Sequence, residues 1–259
     1  MFGETLVVVR IWLTGSLCFE SLGVLVESRR FPGRQGRVAF AYLVGEHDRA
    51  VTRDELIELL WPELPPRAYD VALSAVMSKL RALMSSAGLG RPALETVVSG
   101  YRLNLPAAAW IDVDAAAEAA HEAEAALRAG RHDAAYGPAV VACAILRRPF
   151  LLGEDGTWIE DRRRRLLVLR LRALDCLADI HSWNREPTLA LRALEEAVEL
   201  EPYRETTYRA LMRIHDRAGN RAEAMRVYGR LERLLERELG TRPAAETDAL
   251  MHELATGRR

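Results

Sequence analysis

The residues of this chain that could do chemistry are mostly cations at helical spacing. Between Arg67 and Ser86, the apolar residues Leu73, Met77, Leu80 and Met84 recur at i, i+4, i+7 and i+11, which is one face of an α-helix. The opposite face carries Val71, Ser74, Ala75, Ser78, Lys79, Arg81 and Ala82, all small, polar or cationic apart from Val71. Such a helix fits the major groove of double-stranded DNA. Ser74 and Ser78 would permit close approach, while Lys79 and Arg81 contact base edges and phosphates. The competing reading of the same pattern is a solvated helix face.

Further cations extend the candidate site. Arg102 falls in an apparent hairpin and could enter a minor groove, drawn by its negative potential, or be an ordinary surface arginine. Arg53 opens another helix whose first N–H groups lack intrahelical partners, so together they could hold a phosphate; a capping-region charge is the alternative. Arg34 and Arg37 are similar candidates on an earlier helix. The run Arg162 to Arg165 cannot share one helix face. It reads either as a solvated helix with carboxylates at i−4, such as Asp161 to Arg165, or as a patch for phosphate or polymerase.

Catalytic chemistry finds little to stand on. His47, His121, His132, His181, His215 and His252 are scattered, without the His-Glu-x-x-His spacing that sets two imidazoles on a metal. No Gly-x-Ser-x-Gly elbow is present, and no Gly-x-x-x-x-Gly-Lys-Ser/Thr loop that would cradle a nucleotide. Asp112 and Asp114 are one residue apart and diverge on a helix, a poor acid–base pair. Cys18, Cys143 and Cys176 are far apart and odd in number, which fits reduced, buried thiols rather than zinc or a disulfide framework. The expectation is a protein that is not an enzyme and needs no cofactor or metal.

The elements that must position the cations follow from punctuation and periodicity. Residues 5–31 are rich in Val, Ile, Leu, Phe and Trp and are broken by Gly15 and Gly23, which predicts two or three short strands. Residues 34–45 switch to a helical pattern ending at Gly45. Thr52 with Glu55 three residues on is a capping box, in which each side chain bonds the other residue's backbone N–H. It starts a helix carrying Leu56, Leu59 and Leu60, ended by Pro62, Pro65 and Pro66. After the cationic helix come two strands, Leu94–Val98 and Tyr101–Leu105, with Ser99-Gly100 as the tight turn, where a two-residue hairpin favours a glycine at positive φ. The order of strands, three helices and a hairpin is that of a winged helix-turn-helix, an α+β unit spanning 1–106. Pro106 and the Ala-rich stretch after it mark a boundary, and 107–259 reads as helices only.

This second part repeats. Tyr208, Leu211, Gly219, Ala224, Tyr228 and Leu231 fall 34 residues after Leu174, Leu177, Arg185, Ala190, Leu194 and Ala197. An earlier copy sits around Ala119, Gly130, Ala135, Ala139 and Ala142, separated by an insertion that would hold Pro149 to about Arg170. A period of 34 with alanine where helices cross is the tetratricopeptide pattern, because only a small side chain lets the axes approach. Trp158 and Trp183 are expected in the core between repeats.

Bulk properties limit the partners. At 259 residues, 49% hydrophobic and 28% charged, the chain suits two globular domains. The net charge of −1 gives no sign of nucleic acid, so a DNA-binding reading rests on local charge placement. The apolar run Leu6 to Leu13 is interrupted by Arg10 and is too short for a bilayer. No membrane association and a cytoplasmic, nucleoid-associated location are expected.

The sequence resembles the Streptomyces antibiotic regulatory protein type of activator, whose C-terminal part is the bacterial transcriptional activator domain. The residues that carry the resemblance are Asp54-Glu55-Leu56-Ile57 with Leu60-Trp61, Ala72-Leu73 with Ser78-Lys79-Leu80-Arg81, and Gly100-Tyr101-Arg102-Leu103. Most specific is the block Gly219 to Ala224 with Tyr228, Leu235 to Gly240 and Pro243. The resemblance implies a winged helix of the response-regulator type that binds direct repeats at promoters as a side-by-side pair. It also implies recruitment of RNA polymerase holoenzyme through its sigma factor, to switch on secondary-metabolite (antibiotic) biosynthesis genes, and a base-reading role for Lys79. Asp70 and Val71 stand where the family often has Arg and Asn, which bears on operator preference. The alternative is a tetratricopeptide-type interaction scaffold whose winged helix binds protein; the near-neutral first half and Asp70 favour it.

Overall fold

A computed structural model describes residues 9–63 and 66–256. The start of the first expected strand, residues 5–8, and Pro65 lie outside them. The chain is α-rich, with a small β region toward the N-terminus and a helical C-terminal part. Among the described residues, no helix is long and apolar enough to cross a membrane. The chain forms two compact units. One holds the residues up to Ala115 together with Ile145–Leu166; the other holds Ala116–Ala144 and the residues from Leu167 on.

The first unit opens with three antiparallel strands, β1 (Val9–Trp12), β2 (Cys18–Ser21) and β3 (Val24–Glu27). Helices α1 (Gly33–Gly45), α2 (Arg53–Leu60) and α3 (Tyr69–Ser86) follow. A second sheet is built from β4 (Val51–Thr52), β5 (Leu94–Val97) and β6 (Gly100–Leu103) in the order β4-β6-β5. The expected capping box at α2 is present: Glu55 N–H donates to Thr52 Oγ1 at 3.2 Å, and Thr52 N–H donates to the Glu55 carboxylate at 2.8 Å. The apolar stripe of α3 points inward, with Leu73, Met77, Leu80 and Met84 buried among Phe19, Phe40, Leu43, Leu56 and Tyr101.

Three features of this unit differ from expectation. The hairpin turn is Val98-Ser99, and Gly100 already belongs to β6. Glycine is needed there for space rather than for positive φ: a Cβ on Gly100 would lie 2.0 Å from the Val51 carbonyl oxygen of β4. Residues 107–115 do not leave the first unit. Trp110–Ile111 forms β7, parallel to β1, and the fully buried Asp112 carboxylate accepts from Leu13 N–H (2.8 Å), Thr14 N–H (2.9 Å) and Thr14 Oγ1 (2.7 Å). Residues 145–166 also pack here; they take in most of the segment, Pro149 to about Arg170, that the sequence reads as an insertion in the repeats. Phe150, Leu151 and Ile159 join the core, Leu151 N–H donates to Leu13 O at 2.8 Å, and Gly15 N–H donates to Pro149 O at 2.7 Å. Chain not required to complete a repeat thus supplies apolar side chains and backbone pairing to the first unit.

In the second unit the helices are α4 (Asp112–Arg128), α5 (His132–Leu146), α6 (Thr157–Trp183), α7 (Pro187–Leu200), α8 (Glu205–Arg217), α9 (Arg221–Leu239) and α10 (Ala245–Thr256). Helix α4 starts, and α6 spends its first turns, in the first unit. Ala135, Ala190 and Ala224, the alanines aligned by the repeat, are fully buried. The turns α4–α5, α6–α7 and α8–α9 are alike. Gly130, Arg185 and Gly219 adopt φ of 69°, 58° and 77°. In each case this residue's N–H donates three residues back, and the next N–H donates five residues back: to Leu127 and Ala126, to Ser182 and His181, and to Asp216 and His215. That is the glycine-type helix stop, which satisfies carbonyls left over at a helix end.

Candidate nucleic-acid interface

Helix α3 presents Val71, Ser74, Ala75, Ser78, Lys79 and Ala82 to solvent. Its position against α2 and the hairpin is fixed by two arginines and a tyrosine. Arg53, the first residue of α2, donates to Asp70 Oδ1 at 2.8 Å and to Tyr101 Oη at 2.9 Å, with a longer bond to Ser74 Oγ at 3.4 Å. Its backbone N–H donates to Ser99 O in the hairpin turn at 3.3 Å. Arg81, half-buried, donates from Nε to Leu94 O at 2.8 Å and from Nη2 to Thr96 Oγ1 on β5. Each guanidinium lies 5.7 Å from the Tyr101 ring centre, where the ring's negative face attracts a cation.

The cations proposed from sequence therefore fall into two groups. Arg53, Arg81 and Arg37 have acceptors within the chain. Arg37 pairs with Glu154, itself buried, which also lies 3.8 Å from Arg34; Arg34 donates in addition to Asp155 O. Lys79 on α3 and Arg102 on β6 are exposed, and among the described residues neither makes an ion pair. Asp70 does not stand as an isolated negative charge at the start of α3, because Arg53 neutralises it. Tyr101 is not among the site residues expected from sequence; alternation along Tyr101–Leu103, which buries Tyr101 and exposes Arg102, is the signal available.

The arginine run on α6 follows the solvated reading for the most part. Its pairs are at i−3, Glu160 with Arg163 and Asp161 with Arg164, rather than the expected Asp161 with Arg165. Arg163 also donates to the carbonyls of Phe150 (3.0 Å), Leu151 (3.1 Å) and Glu154 (2.8 Å), so it braces the loop that holds Glu154. Trp158 packs edge-on against Tyr42 and Phe150 in the first unit's core. Trp183, expected in a core, is largely exposed and stacks on His132 with ring centres 4.2 Å apart.

Glu55 and Cys176 are two of the strongly shifted titrating groups among the described residues. Arg49, then the Thr52 backbone N–H, hold the Glu55 carboxyl at about 2. Burial, with the Glu124 carboxylate nearby, pushes the Cys176 thiol up to about 12. Neither points to catalysis: the first serves a helix cap, and the second keeps a thiol protonated and unreactive.

Comparison with known proteins places this arrangement. The sequence model of the bacterial transcriptional activator domain matches residues 111–255. Over 212 residues the chain is 31% identical to the regulatory protein AfsR of Streptomyces coelicolor, covering 81% of this chain and 20% of that relative. Over 216 residues it is 28% identical to the transcriptional regulatory protein EmbR of Mycobacterium tuberculosis, covering 83% of this chain and 55% of that relative. The chain thus spans from about a fifth to about half the length of these relatives. A solved structure of Mycobacterium tuberculosis EmbR, in complex with a low affinity phosphopeptide, superposes with a TM-score of 0.88 at 25% identity, over 97% of this chain and 66% of that one. The chain belongs to the bacterial transcriptional activator domain family, among regulators of the Streptomyces antibiotic regulatory protein type.

Proposed function

We propose that the chain is a sequence-specific DNA-binding transcription activator. In this reading the first unit is a winged helix-turn-helix whose α3 enters the major groove, with the β5–β6 hairpin as its wing. Lys79 contacts bases or phosphate, Arg102 reaches the adjacent backbone or minor groove, and Ser74 and Ser78 allow close approach. Arg53, Arg81 and Tyr101 hold helix and wing at a fixed relation, which is what a docking face requires. Arg37, on α1, is engaged by Glu154 instead. The second unit, a tetratricopeptide-like array, pairs protomers on direct repeats and offers the surface for RNA polymerase holoenzyme. Secondary-metabolite genes are the proposed targets, and the cytoplasm is the proposed location.

The observation that carries this reading is the division among the cations. Those that brace the helix and hairpin are internally bonded, while Lys79 and Arg102, on those same two elements, are exposed and make no ion pair among the described residues. The test is a gel-shift titration of the chain against DNA from its own gene neighbourhood at two salt concentrations, with Lys79→Ala alongside. The expected result is salt-sensitive binding to a repeated site, weakened by about 1–3 kcal/mol in the variant. Unchanged affinity in Lys79→Ala would remove Lys79 from the site.

A second reading, a protein-interaction scaffold, is favoured by the near-neutral charge of the chain. Salt separates the two, since DNA binding through phosphates releases counterions and must weaken as salt rises. Binding no better than to random DNA at either salt would select the scaffold.

A further inference from the structure

We propose that Val71 reads the C5-methyl group of a thymine, so that part of the operator preference is set by an apolar contact. This rests on the DNA-binding reading above. Among the large hydrophobic side chains exposed in the described residues, the two most exposed are Val98 at 109% and Val71 at 70%. Both lie on the elements assigned to DNA: Val71 in the first turn of α3, and Val98 in the turn between β5 and β6. They flank the contacts of one arginine, since Arg53 binds Asp70 through its side chain and Ser99 O through its backbone N–H. Apolar surface left in water is stabilised by whatever later covers it, and an isopropyl group neither donates nor accepts a hydrogen bond. In the major groove, the apolar group that base edges offer is the methyl of thymine.

The neighbours of Val71 narrow the reading. The Asp70 carboxylate is held by Arg53, so the position before Val71 does not present an unpaired negative charge to the groove. Arg81 is held by the hairpin and does not extend from α3 as a base-reading fork. One turn along from Val71, Ala75 is exposed and small, so the isopropyl group has no bulky neighbour there to hold a base away. A hydrogen-bonding code at the start of α3 is thus replaced by a shape contact.

The experiment selects a bound site from a random duplex pool with the full chain, then replaces each thymine of that site in turn by deoxyuridine, which lacks only the methyl. The expected result is a rise in Kd of about fourfold at one or two positions, the partition of one methyl-sized group. Val71→Ala should bind the thymine and deoxyuridine sites equally. Because Val71 is exposed, the variant should keep the wild-type thermal transition, which confirms that it folds. Deoxyuridine without effect at every position, or equally harmful to Val71→Ala, would overturn the inference while leaving DNA binding intact. A change in oligomeric state of Val71→Ala with unchanged deoxyuridine sensitivity would overturn it in favour of a contact between copies of the chain. Failure to enrich any sequence would overturn the DNA-binding reading itself.

Discussion

Replacing Arg185 by glycine should stabilise the second unit. Arg185 holds φ of 58° at the stop between α6 and α7, where the equivalent positions carry Gly130 and Gly219. An L-residue in this region costs about 1–2 kcal/mol through the clash of its Cβ with the following carbonyl. Glycine removes the clash but loses about 0.5–1 kcal/mol more backbone entropy on folding. The two effects leave a net gain of about 0.5–1 kcal/mol. For a chain of this length that corresponds to a rise of about 1–4 °C in Tm. Arg185 is exposed and its N–H bonds belong to the backbone, so the substitution deletes little else. Differential scanning calorimetry of three variants separates the terms. Arg185→Gly should rise, Arg185→Ala should stay near the wild type because the strain persists, and Gly219→Ala should fall by about 1 kcal/mol. If Arg185→Gly and Arg185→Ala melt together, the left-handed strain is not stored at this turn and the reasoning fails.

Four other perturbations test the first unit. Glu154→Ala leaves Arg37 without its carboxylate inside a partly buried contact and should destabilise by about 2 kcal/mol in urea, less than a fully buried pair because Arg37 can reach water; no loss would show that residues 145–166 are not held by this pair. A fragment ending at Pro106, which lacks Asp112, Phe150 and Ile159, should show no cooperative unfolding by circular dichroism. Asp70→Asn frees Arg53 for phosphate, so the slope of log K against log salt for DNA should steepen by about 0.9; an unchanged slope would mean that Arg53 stays on Tyr101. The Glu55 carboxyl at about 2 lies below its ordinary value of 4.5. Its contribution to stability is therefore complete above pH 4.5 and is lost as pH falls toward 2. Glu55→Gln, which keeps the capping acceptor, should flatten that part of the urea-midpoint profile.

What the sequence made legible is local. The capping box at Thr52 and Glu55 needs four residues of context, the stripe Leu73 to Met84 needs twelve, and both appear as read. The repeat was legible through its period even where residues differ: Arg185 occupies a glycine position with a glycine conformation because the turn's hydrogen bonds impose it. The relations that were not legible join distant positions. Glu154 is 117 residues from Arg37, and Asp112 is 99 residues from Leu13. Neither periodicity nor composition reports such pairs. The two-residue strand β7 is too short to give an alternation signal. Gly100 was found for the wrong reason, since the obstacle to a side chain is a carbonyl of β4 rather than its own φ.

The charges show why counting cations misleads at this site. Among the side chains considered because they are cationic are Arg37, Arg53, Lys79, Arg81 and Arg102. Three of them are joined to acceptors that sequence spacing does not disclose. On the DNA-binding reading, this lowers the number of phosphates each protomer can neutralise, and with it the affinity for DNA of any sequence, which rests on counterion release. A regulator must find its site among a large excess of other sites, so the ratio of specific to non-specific affinity matters more than either alone. Spending arginines on rigidity weakens the denominator of that ratio. It also keeps α3 and its hairpin preorganised for the numerator, which then depends on shape contacts and on two protomers binding together. A near-neutral chain is, on this physics, compatible with a selective DNA-binding protein, and its expected signature is a shallow salt slope for each protomer combined with steep discrimination between sequences.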